Sequence, residues 1–110
     1  MSTISVDQSV MTLVNCFSVD PAKADELMAV LVEATESVMR HIPGFVSANL
    51  HMAEDKRHVV NYAQWRSRAD FDAMLARDDA REHMGKAASL CNGFTPVICH
   101  VVHAESRASS

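Results

Sequence analysis

The sequence has no run of lysine and arginine, no long apolar segment and no clustered cysteines, and each absence excludes a class of function. Basic residues stand singly or in pairs such as Lys56 and Arg57, and 10 Lys and Arg against 14 Asp and Glu give a formal charge of −4. Nucleic acid, which demands a concentrated basic surface, is therefore not an expected partner. No stretch approaches the roughly 20 apolar residues of a membrane span, and the opening MSTISVDQSV lacks the basic region and apolar core of a secretory signal. The expectation is a cytoplasmic protein that does not associate with a membrane. Cys16, Cys91 and Cys99 are odd in number and far apart. That fits reduced thiols acting as small hydrophobes, not a disulfide framework or a zinc site. Neither HExxH nor CxxC occurs, and His100 and His103, three apart on an expected strand, face opposite ways.

What is present is a chain of 110 residues, 48% of them apolar, the size of one domain. Only the ends have the small polar composition of tails, so residues 1–9 and 105–110 are set apart from a single domain at 10–104. A domain this small seldom encloses a large site alone, which makes a dimer the expected assembly.

Residues 10–18, VMTLVNCFS, form a first strand. Asp20 then offers an N-cap and Pro21 a first helical position. Leu27, Leu31, Ala34 and Val38 recur at helical spacing beyond it, with Met28, Val32 and Met39 widening the stripe. The helix stops at HIPG, because Pro43 disfavours helix in Ile42 and Gly44 frees the turn. FVSANLHM and HVVNYAQW are two strands joined by the charged turn AEDKR. Ser67 with Asp70 three residues later predicts a capping box and a helix directly after Trp65. Asp78 and Asp79 break that helix and open another, AREHMGKAASL, which Gly93 ends. A last strand, VICHVVH, follows Pro96. The order β-α-β-β-α-β predicts an α+β, ferredoxin-like fold with an antiparallel sheet and helices on one face.

Alternate residues of a strand face opposite sides. In VVNYAQWRS, Val59, Asn61, Ala63 and Trp65 therefore share one face, while Val60, Tyr62 and Gln64 share the other. Neither face is purely apolar, and an unpaired amide in a core costs about 1–3 kcal/mol. These groups must be paired, reach water, or line a pocket. Both parities are also apolar elsewhere (Leu13 and Val14, Val59 and Val60, Val101 and Val102), which implies two buried sheet faces. Helices suffice for one, so the other is expected to meet a second subunit, with Tyr62 and Gln64 at that interface.

The run VVNYAQWRS, after IPGFVSANLH and before a capped helix with Phe71 and Met74, resembles the antibiotic biosynthesis monooxygenase (ABM) family of dimeric α+β barrels over residues 10–104. NYAQW resembles the branch of cofactor-independent quinol and anthrone monooxygenases. That resemblance implies oxidation of an electron-rich phenolic substrate by O2 to a quinone, with no metal, flavin or other cofactor: the deprotonated substrate itself gives triplet O2 an electron. It implies Asn61 and Trp65 as pocket residues whose amide and indole N–H suit a carbonyl, phenolate or peroxide oxygen, with His51 as proton acceptor. Asn15, Phe71, Met74, His83 and Lys86 are the further substrate-binding candidates. Phe71 stands where some members carry a tyrosine, and Lys86 or Arg81 loosely matches a basic residue of others.

The same superfamily contains a haem-degrading branch, which uses an asparagine on the first strand, a helical tryptophan and an iron-ligating histidine. Asn15 and His83 match two of these positions, whereas Met74 stands at the tryptophan's place. Haem binding is accordingly the alternative enzyme reading, and a non-catalytic small-molecule-binding dimer the alternative outside enzymes.

Overall fold

The computed structural model describes residues 2–108. Strand β1 (Met11–Ser18) leads through a 3-10 turn at Pro21–Lys23 into helix α1 (Ala24–Ser37). Asp20 caps this entry as its position before Pro21 predicts, its carboxylate accepting from the Ala22 N–H at 2.9 Å. A second 3-10 turn, Met39–His41, carries the chain out of α1 to Gly44, whose φ of +92° only glycine adopts at little cost. Strands β2 (Phe45–Met52) and β3 (His58–Trp65) follow with the bounds their sequence patterns predict. Their connecting turn places Lys56 at φ 60°.

Helix α2 (Arg68–Leu75) follows with Ser67 as its N-cap, as the Ser67–Asp70 spacing predicts, the Ser67 hydroxyl accepting from the Asp70 N–H at 3.1 Å. Helix α3 (Asp78–Leu90) has Asp78 and Asp79 in its first turn, where carboxylates complement the helix dipole. The last strand, β4 (Gly93–Cys99), begins and ends earlier than expected and contains Pro96. The strand order is β2-β3-β1-β4, all neighbours antiparallel, so β4 is an edge strand and the missing proline N–H is tolerated there. His100, Val101, Val102 and His103 lie beyond the sheet, and Val102 is 81% exposed. They do not contribute the second buried face assigned to them above.

The helices cover one face of the sheet. There the core is divided into two clusters. One gathers Met11, Leu13, Ala63, Trp65, Phe71 and Met74 with the end of α1. The other gathers Phe17, Val59, Leu27 and Ala87 nearer the start of α1. The sheet row between them reads Leu50–Asn61–Asn15–Pro96 across all four strands. The core therefore parts where two asparagines replace apolar residues.

The opposite face is only partly covered. At one end Gln64, 1% exposed, accepts from the Ser47 hydroxyl at 2.8 Å and donates to the Thr3 carbonyl at 2.8 Å and to Gln8 at 3.3 Å. The N-terminal tail thus packs across that end, and Gln64 is satisfied within its own chain instead of waiting for a second subunit. Towards the other end Val14, Cys16, Val60 and Tyr62 are half-buried and Val97 is half exposed. No helix of the described residues is long and apolar enough to cross a membrane.

Candidate active site

A cavity of about 350 Å³ occupies the gap between the two core clusters, under the helices. This is within the range of ligand pockets. Its floor is the sheet: Leu13, Asn15 and Phe17 from β1, Ala48 and Leu50 from β2, Asn61, Ala63 and Trp65 from β3. Leu31 and Thr35 of α1, Phe71 and Met74 of α2 and Met84 of α3 form the opposite wall, and Phe94, Pro96 and Ile98 of β4 the side.

Asn15 and Asn61 are directly opposed in the β1–β3 register. The Oδ1 of each is buried without a hydrogen-bond partner. Two unsatisfied amide oxygens cost about 1–3 kcal/mol each, so folding alone gives no reason to keep both. Apart from these amides the lining offers one hydroxyl, that of Thr35, and one charged group, Arg68. The Thr35 hydroxyl is already donated to the Leu31 carbonyl at 2.9 Å, which leaves the asparagines as the polar centre of an otherwise apolar floor.

Trp65 lines the same cavity further along β3. Its indole, 3% exposed, meets Phe45 edge-on at 5.5 Å between ring centroids and Phe71 at 6.2 Å and 67°. Such pairs add about 0.5–1.5 kcal/mol beyond their burial. The backbone behind Trp65 is fixed as well, since the Arg66 N–H donates to the Gly44 carbonyl at 2.7 Å. Asp70 completes this corner, accepting from Ser67 Oγ at 2.9 Å and from Arg66 at 2.7 and 3.0 Å. The Arg66 bond foremost, then that from Ser67, holds the Asp70 carboxyl below its ordinary pKa.

Of the candidates named from the sequence, Asn15, Asn61, Trp65, Phe71 and Met74 meet at this cavity. His51, His83 and Lys86 are not among its lining residues. His51 is exposed and pairs with Val60, so it lies on the open face of the sheet. The reason is a register shift between Phe45 and Ser47. Phe45 faces the cavity, and unbroken alternation would carry His51 there with it; the bulge instead turns Ala48 and Leu50 inward. His83 is half-buried on α3 with Nδ1 at 3.2 Å from the Asp79 carbonyl oxygen, and Lys86 is exposed. The haem reading needs His83 and Asn15 in one cavity, and only Asn15 is there. No group of three or more His, Cys, Asp or Glu among the described residues could hold a metal ion.

Arg68, Thr35 and the β4 wall line the cavity without a signal for it in the sequence, and Leu31 reads there only as part of the apolar stripe of α1. Phe94, Pro96 and Ile98 had no legible signal, because Pro96 marks a boundary in a sequence and here sits inside a strand.

A ferredoxin-like domain with an aromatic and methionine-lined cavity under its helices, centred on two cross-strand amides, is the class defined by this geometry. The chain belongs to the antibiotic biosynthesis monooxygenase family, which matches residues 10–86. It is 48% identical over 103 residues to the tetracenomycin-F1 monooxygenase of Streptomyces glaucescens, covering 94% of this chain and 91% of that protein. Among solved structures it resembles the ActVA-Orf6 monooxygenase of Streptomyces coelicolor in complex with nanaomycin D (TM-score 0.80, 27% identity, 94% of this chain and 99% of that one). It also shares the fold of SnoaB, a cofactor-independent oxygenase from Streptomyces nogalater solved as an asparagine-to-alanine mutant (TM-score 0.76, 23% identity, 87% and 96% covered).

Proposed function

We propose that this chain is a monooxygenase that binds a polycyclic phenol in the cavity between sheet and helices and oxidises it with O2 to a quinone, the substrate supplying the electrons without a bound cofactor. The observation that carries this reading is the Asn15–Asn61 pair, two amides facing one another across β1 and β3 with orphaned oxygens in an apolar cavity. The 48% identity to tetracenomycin-F1 monooxygenase supports the reaction class and an aromatic polyketide as the kind of substrate.

An electron-rich phenol reacts with O2 through its deprotonated form, which transfers one electron; recombination at the ring carbon gives a hydroperoxide, and loss of water leaves the quinone carbonyl. Amide N–H donors beside the oxygen that gains charge favour the deprotonated form and hold the intermediate; the orphaned Oδ1 atoms are acceptors, so in this reading the Nδ2 groups of Asn15 and Asn61 fill that role. The indole N–H of Trp65 is a further donor in the same cavity. The flat, apolar walls fix the ring plane, which aligns one carbon for attack. Among the described residues no carboxylate or imidazole lines the cavity, so in this reading deprotonation rests on stabilising the anion, with the proton leaving to water.

The assembly we propose is a homodimer packed through the open sheet face, where Val14, Val60, Tyr62 and Val97 await cover. A cytoplasmic location fits the same reading.

The test is quinone formation from an anthrone, whose methylene carbon gains the new oxygen, by chelator-treated protein. Wild type should turn the substrate over in air and not under nitrogen, with Asn61→Ala and Asn15→Ala folded but slowed. Equal rates in wild type and both variants would refute the assignment.

A further inference from the structure

The wall that faces the two asparagines carries sulfur. Met39, Met74 and Met84 line the cavity, whereas Cys16, Cys91 and Cys99 do not. The distinction matters beside a quinone, because a thiolate adds to the ring of such a product and a thioether, with no S–H to give up, does not. A thioether has another reactivity that this chemistry meets: it takes an oxygen atom from a peroxide and becomes a sulfoxide.

The three methionines differ in access. Met84 on α3 is 38% exposed and Met39 is half-buried, but Met74 on α2 is only 5% exposed. Met74 packs in the core cluster of Ala63 and Trp65, on the stretch of β3 directly beyond Asn61. Ala63 follows Asn61 by two residues on the same face, about 7 Å along the strand, which is less than the length of a tricyclic ring system. A hydroperoxide formed on a ring over Asn61 is therefore close to Met74, and an oxidant in bulk water is not.

We infer that Met74 is a modification site, oxidised to the sulfoxide by the substrate hydroperoxide whenever that intermediate transfers oxygen instead of losing water. The inference rests on the aromatic-oxidation reading of this cavity. In the transfer the Met74 sulfur attacks the distal peroxide oxygen, the O–O bond breaks, and the proton on that oxygen passes to the proximal one. Sulfur is oxidised by two electrons and the peroxide is reduced to an alcohol on the ring carbon. Each such event thus places one atom of O2 on Met74 and the other on the alcohol. The sulfoxide sets a polar, chiral group into an apolar wall, so turnover itself limits the working life of the site.

The test is turnover of an anthrone by the full chain under isotopically labelled O2, with catalase present to remove free hydrogen peroxide. Cleavage after Lys and Arg places Met74 and Met84 on separate peptides for mass spectrometry. Labelled sulfoxide should accumulate at Met74 in proportion to the quinone formed, with none above background at Met11, Met28 or Met52, which do not line the cavity. Hydrogen peroxide given in place of substrate and catalase should reverse the order, oxidising the exposed Met84 first and Met74 last. Met74→Leu, which keeps the volume and removes the sulfur, should complete more turnovers than wild type before its activity is lost. Label absent from Met74, or confined to Met84, while quinone forms would overturn the role of Met74 alone, as would a Met74→Leu protein inactivated after as many turnovers as wild type. If no quinone forms, the reading of the cavity as a site of aromatic oxidation falls, and this inference with it.

Discussion

At the scale of single residues, the site is a place where folding and function want different side chains. Asn15 and Asn61 occupy positions whose strand neighbours on the same face, Leu13, Phe17, Val59 and Ala63, are buried and apolar. Leucine at either position would remove an orphaned amide oxygen and fill part of the cavity. Asn61→Leu should therefore raise the melting temperature by several degrees, since about 1 kcal/mol corresponds to about 4–8 °C in a domain this size, while abolishing oxidation. Differential scanning calorimetry beside an activity assay checks both halves. A less stable variant would mean that the amides are structurally satisfied. Asn61→Ala, which truncates without filling, should cost about 10²–10³ in kcat by analogy with the loss of one oxyanion donor. Residue identity made Asn61 and Trp65 legible in the sequence, since an amide and an indole in an apolar strand need a reason. The pairing of Asn15 with Asn61 was not legible, because it depends on the β1–β3 register, and neither strand alone sets that.

At the scale of elements, the corner of Gly44, Arg66, Ser67 and Asp70 holds Trp65 in place. A Cβ at Gly44 would fall onto Cβ and Cγ of Asp70, and the left-handed φ is itself unfavourable for other residues. Gly44→Ala should thus destabilise by about 1–3 kcal/mol and displace the start of α2, seen as a lower denaturation midpoint. The charge within this corner has a pH signature. Asp70 has a lowered pKa in the folded protein, so its contribution is present above the unfolded carboxylate value and is lost as pH falls through the lower folded value. Asp70→Asn should lower the melting temperature at pH 7, and the gap to wild type should close as the pH is taken below the ordinary carboxylate value and Asp70 becomes protonated in the folded protein. A gap that stays constant with pH would show that the carboxylate's charge is irrelevant. Element bounds such as Phe45–Met52, His58–Trp65 and the Ser67 cap were readable because turn and capping chemistry is local. The bulge between Phe45 and Ser47 was not, and with it went the inward placement of His51. A one-residue irregularity exchanges the faces of everything beyond it.

At the scale of the molecule, the sheet carries a cavity on one face and an incompletely covered apolar strip on the other. Both follow from strands that are apolar at both parities, which is why the expectation of a second covering layer could be formed from the sequence. The β4 end misled it, since Val101 and Val102 continue the pattern after the sheet has ended. If the strip is the homodimer interface, a charge placed there should separate the subunits and leave each cavity intact. Tyr62→Glu combined with Val97→Asp should halve the mass seen by analytical ultracentrifugation with secondary structure unchanged. An unaltered dimer would move the interface elsewhere.

The central claim is that the Asn15–Asn61 cavity directs O2 to a phenolic substrate. Its most direct test is transfer of isotopically labelled O2 by chelator-treated protein, read by mass spectrometry of the quinone. The account predicts one labelled oxygen atom per quinone from the wild type and none above background from an Asn15→Ala, Asn61→Ala double variant. A quinone whose new oxygen comes from water, or label incorporated equally by the double variant, would contradict it.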